Sequence, residues 1–207
     1  MRIDSKTCVK LLLAVPAFAG AFALSTAAEA APRTHDGFYL QADTGIGYLS
    51  STAEVGATKM TISGATFPFA FLLGGTVGPV VIGGGFFGDR AYSPGYEVNG
   101  QKGTFNGDVS MTLIGIGMFA DIYPDPTQGL HFQPFVGWGG LETTVNGDSG
   151  GSDPTGLVLA IGGGYDFFVS DEWSIGPMLR FAYAPLKLND VSYSTMAPTL
   201  LVSFTYH

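Results

Sequence analysis

The chain has 207 residues, with nine Lys and Arg against 17 Asp and Glu, a net charge of −8, 46% hydrophobic residues and 31 glycines. A chain this apolar and glycine-rich is neither disordered nor an ordinary helical domain, and its acidic balance opposes a nucleic-acid partner, because phosphate binding needs clustered Lys and Arg. The single cysteine, Cys8, rules out an internal disulfide framework and a paired-cysteine metal or redox site.

Arg2, Lys6 and Lys10 precede an apolar run from Leu11 to Leu24, and Ala28-Glu29-Ala30 follows it. A basic start, a short apolar core and small residues at a cleavage position predict a secretory signal over 1–30, with the mature chain beginning near Ala31. Pro16 and Gly20 interrupt the run, which is too short for a helix to cross about 30 Å of hydrocarbon. Cys8 lies before the apolar core and leaves with the signal. An exported chain without thiols suits a bacterial envelope.

From residue 31 onward the dominant period is two. Phe38, Leu40, Ala42, Ile46 and Tyr48 share one face of a first strand, opposite Tyr39, Gln41, Asp43, Gly45 and Gly47. Phe67, Phe69, Phe71 and Leu73 alternate with Thr66, Pro68, Ala70 and Gly74. At the far end Met196, Pro198, Leu200, Val202, Phe204 and Tyr206 alternate with Ala197, Thr199, Ser203 and Thr205. Helical spacing would scatter each set around a cylinder, whereas a strand stacks it on one side. The uncharged stretch between Lys59 and Asp89 holds Pro68, Pro79 and many glycines, so two strands joined at Thr76-Val77-Gly78-Pro79 fit it better than a membrane helix.

Eight strands are predicted near 37–49, 60–75, 80–90, 108–123, 130–143, 156–169, 173–186 and 195–206. Short connections fall at 76–79, 124–129 and 170–172, and longer polar ones at 50–59, 91–107, 144–155 and 187–194. Alternating short turns and long loops, with both termini on the turn side, is the rhythm of an antiparallel up-and-down barrel in a membrane. Closure pairs every strand edge, and in hydrocarbon an unpaired backbone group costs several kcal/mol. Aromatic residues gather toward the strand ends. Tyr123, Phe132, Phe167, Phe168, Trp173, Phe204 and Tyr206 are assigned to a turn-side girdle, and Tyr48, Phe67, Tyr92, Trp138 and Tyr183 to a loop-side one. The broadly apolar outward faces disfavour a soluble sandwich or lipocalin-like barrel.

This pattern resembles the small eight-stranded outer-membrane barrels of the OmpA/OmpX type. It is more closely similar to an uncharacterised family of bacterial outer-membrane proteins through His35-Asp36-Gly37-Phe38-Tyr39-Leu40, Tyr123-Pro124-Asp125-Pro126, Gly151-Ser152-Asp153-Pro154-Thr155-Gly156, Gly164-Tyr165-Asp166-Phe167, Trp173-Ser174-Ile175-Gly176 and Phe204-Thr205-Tyr206-His207. The resemblance implies an architecture and a place in the bacterial outer membrane, with lipid and the barrel-assembly machinery as partners, and no activity. Such barrels usually end in Phe or Trp, whereas this chain ends in His207, with Tyr206 one residue earlier.

Few residues point to chemistry. Gly115-Ile116-Gly117-Met118-Phe119-Ala120 matches GxGxxA, but Tyr123-Pro124-Asp125-Pro126 follows too soon for the helix a dinucleotide site needs. The triplets Gly83-Gly84-Gly85 and Gly162-Gly163-Gly164 are read as relief for tight curvature and packing. His35, His131 and His207 fall at the turn side, the second of them across the barrel from the other two. Interfacial solvation is expected for them, with neither a metal site nor a lipid-modifying active site. Asn146-Gly147-Asp148-Ser149-Gly150-Gly151-Ser152-Asp153 lacks the spacing and bidentate Glu of an EF-hand and is read as a solvated loop.

One constellation remains. Arg180 shares a face with Ser174, Gly176 and Met178, opposite Ile175, Leu179 and Phe181, and so should point inward. Asp43 faces inward as well, and Asp121 and Asp166 are candidate inward acids. A guanidinium in a narrow interior needs carboxylate partners, so a lumen network of Arg180 with Asp43, Asp121 or Asp166 is expected to plug the barrel. The resulting expectation is a monomeric, non-enzymatic outer-membrane barrel, without cofactor or metal, with a structural or surface-interaction role. The alternative is a narrow channel for small apolar or cationic solutes, and a lipid-modifying enzyme comes third.

Overall fold

The structure, a computed structural model, describes residue 35 and residues 37–207 apart from 106, 126, 150 and 152. The predicted signal segment 1–30 lies outside the described residues.

Twelve strands run in chain order: β1 (Phe38–Val55), β2 (Thr58–Val77), β3 (Val80–Tyr92), β4 (Gly95–Val98), β5 (Gln101–Thr104), β6 (Val109–Ile122), β7 (Leu130–Val145), β8 (Asp148–Ser149), β9 (Thr155–Tyr165), β10 (Phe167–Phe168), β11 (Trp173–Leu188) and β12 (Val191–Tyr206). Eight of them close a ring in the order β1, β2, β3, β6, β7, β9, β11, β12, and β12 returns to β1. Every neighbour is antiparallel, and the seam is as long as the other ladders, running from Leu40 opposite Tyr206 to Glu54 opposite Ser192. The fold is thus the all-β, eight-stranded antiparallel barrel that the alternation predicts.

The period-two pattern sets the two walls. Outward residues such as Ile46, Phe67, Ile116, Trp138, Ile161 and Leu179 are exposed, although all are large and apolar. Inward residues such as Leu49, Leu72, Val81, Leu113, Val158 and Leu201 are buried. An exposed apolar band around a closed sheet is the arrangement that hydrocarbon solvates and water does not.

Two predicted loops are corrected. The segment 50–59 is not a loop: β1 and β2 continue as a ladder to Val55 opposite Thr58, and only Gly56 and Ala57 turn. Likewise 187–194 is mostly strand, with β11 and β12 paired to Leu188 opposite Val191 and a turn at Asn189-Asp190. Ser, Thr and Glu in these stretches have the composition of a loop, but ladders standing beyond the hydrocarbon have no reason to be apolar. The loop at 91–107 contains the β4–β5 hairpin, which pairs through β4 with β2. The loop at 144–155 begins with the short β7–β8 ladder.

At the other end, the predicted sixth strand stops at Tyr165 rather than 169. Asp166 turns into the interior, and Phe167–Phe168 pair separately with β11. Gly115 to Ala120 lie within β6, a strand with no opening helix, so the GxGxxA match is structural. His35 and His207 meet at this end of the barrel, beside the short turns.

Candidate functional site

The lumen is filled in layers, from the turn side, where the termini lie, to the hairpin side. Beyond the strand ends sit Tyr123, Asp166 and His207, all buried, with His35 against them. Tyr123 is therefore not a girdle residue: its ring points inward, stacked on His35 at 3.7 Å and on His131 at 5.3 Å. Phe168 also leaves the girdle assignment, since its ring packs against His35 and His207.

The histidines are likewise corrected from solvated to buried, at 2%, 0% and 3% exposure for His35, His131 and His207. The chain places His35 just before β1 and His207 just after β12, at one end of their shared ladder, and a third histidine where β7 begins, and the narrow mouth brings their rings around one tyrosine. Burial acts on the groups that lie beyond the strands. It raises the Asp166 carboxyl to about 6. Burial, reinforced by the neighbouring imidazoles of His35 and His131, lowers His207 to about 3. On the outer turn, Asp125 is held below the usual carboxylate range by hydrogen bonds from Thr127 and Gln128.

Just inside lies a polar lattice. The Tyr39 hydroxyl donates to Asp121 Oδ2 at 2.7 Å and also bonds Gln41. His131 Nδ1 lies 2.9 Å from Asp121 Oδ1, and Gln133 Nε2 donates to Gln41 Oε1 at 2.7 Å and to Asp121 Oδ2 at 3.1 Å. Tyr123 links this lattice to the mouth by donating to Asp166 Oδ2 at 3.0 Å. Asp43 accepts from Gln41 Nε2 at 2.7 Å.

Arg180 stands one layer further in. Its Nη2 donates to Asp89 Oδ1 at 3.1 Å and Oδ2 at 3.3 Å, and the guanidinium lies 4.3 Å from the Phe87 ring centre. The expected partners are thus corrected. Asp121 and Asp166 belong to the turn-side lattice, Asp43 feels the Arg180 charge without an ion pair to it, and the paired acid is Asp89. All four predicted residues are buried in the lumen. Asp89 was legible in principle, because it shares strand parity with Phe87 and Ala91, two inward residues. Tyr39, Gln41 and Gln133 carry no comparable charge signal, and neutral hydrogen-bonding groups on an inward face look like ordinary filling.

Glycines make this filling possible. A side chain at Gly162 would collide with the Met178 terminus, and one at Gly164 would meet the His131 imidazole. Curvature and packing are therefore joined at the triplet, since its inward members leave room for large neighbours.

Beyond Arg180 the interior turns apolar through Phe87, Leu49, Ala91, Leu113, Val158, Ala182, Ala184 and Ala197. Above them a cavity of about 390 Å³ lies between the extended hairpins. Met60, Ile62, Met111, Leu141, Leu188 and Tyr193 line it, together with Thr143, Asp153 and Pro154. The volume falls within the range of small-molecule pockets, about 300–1,000 Å³. On the outer wall nearby, Arg90 lies 5.0 Å from the Tyr92 ring centre and donates to Ser110 Oγ at 3.2 Å. Tyr96 and Phe105 of the β4–β5 hairpin pack together at 4.9 Å.

No family model and no curated protein matches the sequence. Solved structures do. The crystal structure of Neisserial surface protein A aligns with a TM-score of 0.51 and 18% identity, over 83% of this chain and 97% of that one. Ail, the attachment invasion locus protein of Yersinia pestis, in complex with the heparin analogue sucrose octasulfate, aligns at 0.43 and 17%, over 83% and 99%. The outer membrane protease OmpT from Escherichia coli aligns at 0.38 and 8%, over 86% and 99%. The first of these likenesses bears on the fold alone, a small closed antiparallel barrel. The closed ring and the apolar band around its outer wall are those of a membrane-spanning β-barrel.

Proposed function

We propose that this outer-membrane barrel works at the cell surface as a plugged, non-enzymatic binder of small apolar molecules, held in the cup between its hairpins. The observation that carries the reading is the cup itself, about 390 Å³ and walled by Met60, Ile62, Leu141, Leu188 and Tyr193. It stands above an interior filled by side chains, as eight-stranded barrels commonly are. Apolar area removed from water contributes about 25 cal/mol per Å², so a compact hydrocarbon or aromatic molecule gains most of its affinity from shape and burial alone. Thr143 and Asp153 in the same lining offer a polar end of such a molecule hydrogen-bonding partners.

The channel reading needs a continuous water path. The Arg180–Asp89 pair and the Tyr39–Gln41–Asp121–Gln133 lattice stand across that path.

The test is binding of N-phenyl-1-naphthylamine to the barrel in lipid nanodiscs, followed by its fluorescence. Saturable enhancement is expected, with competition by medium-chain alcohols and loss in Ile62→Asp and Leu141→Asp. Wild-type and variant barrels that enhance the probe equally would discard the cup. Steady single-channel conductance of the wild type in a planar bilayer would favour the channel instead.

A further inference from the structure

At the opposite end of the barrel, three groups converge without a role in the reading above. His35, Asp166 and His207 are all buried, and each offers one ligand-type atom within 4.8 Å of the others. His35 Nδ1 lies 3.2 Å from both ring nitrogens of His207, and His207 Nε2 lies 3.9 Å from Asp166 Oδ2. We propose that His35, Asp166 and His207 form a binding site for a divalent transition-metal ion of the zinc class at the turn-side mouth.

The donor chemistry selects the ion. Two imidazoles and a carboxylate suit zinc and its first-row neighbours, whereas magnesium and calcium prefer all-oxygen shells. Ligand atoms about 2.0–2.1 Å from a tetrahedral zinc stand about 3.3 Å apart. The observed 3.2 Å already matches that edge, and 3.9 Å closes with a small side-chain rotation.

An independent observation concerns Asp166. Its Oδ1 is buried and has no hydrogen-bond partner among the described residues, although its Oδ2 accepts from Tyr123. A buried carboxylate oxygen left in this way is costly, and a cation held by this carboxylate and the two imidazoles offsets that cost. The surroundings are those of a supported site. Tyr123 fixes the carboxylate through its hydroxyl and lies flat against His35 at 3.7 Å, and Phe168 covers both imidazoles. Such partners orient ligands and raise affinity.

The placement has a consequence for the fold. His35 precedes β1 and His207 follows β12, so both flank the ladder that closes the ring, while Asp166 leaves β9, two places from β12 and three from β1. An ion there ties both ends of the barrel chain to the end of β9 and shuts the mouth.

The experiment uses untagged protein folded in detergent and stripped with a chelator. Cobalt(II) titration should give visible bands of four-coordinate intensity, saturating at one ion per barrel and bleached by equimolar zinc. His35→Ala and Asp166→Asn should abolish the bands, and His131→Gln, on the other face of Tyr123, should keep them. Zinc should raise the unfolding midpoint of wild type and leave that of His35→Ala unchanged. The proposal is overturned if wild type gives no saturable bands, if His35→Ala and Asp166→Asn retain them, or if His131→Gln removes them equally. Because wild type alone can give the negative result, a variant that does not fold leaves the test decisive.

Discussion

Arg180 on β11 and Asp89 on β3 meet across the full width of the lumen, for their strands are four places apart in a ring of eight. The pair is a strut between opposite walls, with exposures of 6% and 0%. Removing one member of a buried ion pair strands the other charge and costs about 3–5 kcal/mol. Arg180→Met should therefore lower the unfolding free energy of the barrel, read by urea titration in lipid vesicles, by an amount in that range. Arg180→Met combined with Asp89→Leu should recover most of it, since apolar replacement of a whole buried pair is often neutral or better. A double variant that loses the sum of what Arg180→Met and Asp89→Leu each lose alone would show that the pair carries no coupling.

Gln133 and Gln41 form a second cross-lumen strut, from β7 to β1, at 2.7 Å. Two barriers in series predict a particular pattern of leakage. Gln41→Ala with Gln133→Ala should remain non-conducting, because Arg180 and Asp89 still span the lumen. Arg180→Ala with Asp89→Ala should also remain closed, because the Gln41–Gln133 strut persists. Only the quadruple variant should conduct steadily in planar bilayers. Conductance from either double variant alone would mean that one layer seals the barrel without the other.

The contrast between these struts explains what the sequence could reveal. Alternation identified the walls because the outward residues from Phe67 to Leu73 on β2 and from Met196 to Tyr206 on β12 are apolar or aromatic regardless of their partners, a signal that survives without knowing the register. The inward position of Arg180 followed from the same parity. Its partner did not, since choosing Asp89 over Asp43 depends on the stagger of eight strands, which no single strand contains. The histidines misled for a similar reason. Sequence placed them at the turn side, but only the convergence of the mouth around Tyr123 makes that place dry. The β4–β5 and β7–β8 hairpins were legible and missed: Asn99-Gly100 and Asn146-Gly147 have left-handed backbones at both residues, a strong hairpin signal.

That turn chemistry is itself testable. Gly100 has φ +87° at the tip of the β4–β5 hairpin, with open space around its α-carbon. Gly100→Val should strain the hairpin by about 1–2 kcal/mol, the usual cost of left-handed backbone for a side chain. Because β4 and β5 lie outside the closed ring, the loss should remain local. Limited proteolysis of whole cells should cut faster near 99–104, while the unfolding midpoint of the barrel stays at the wild-type value. A matching fall in that midpoint would show the hairpin to be part of the cooperative unit.

Two glycines of similar appearance should respond differently to the same added methyl group. Gly164 faces inward against His131, and its new β-carbon would lie against the imidazole that bonds Asp121. Gly84 faces outward, where the nearest atom to an added β-carbon is the Gly117 carbonyl oxygen at 3.3 Å. Overpacking a filled interior costs about 1–3 kcal/mol, and here it also displaces a buried hydrogen bond. Gly164→Ala should destabilise the barrel by that amount and shift the His131 ring resonances, whereas Gly84→Ala should stay within about 0.5 kcal/mol of wild type. The comparison separates room for a neighbour from curvature, because curvature alone would make both substitutions costly.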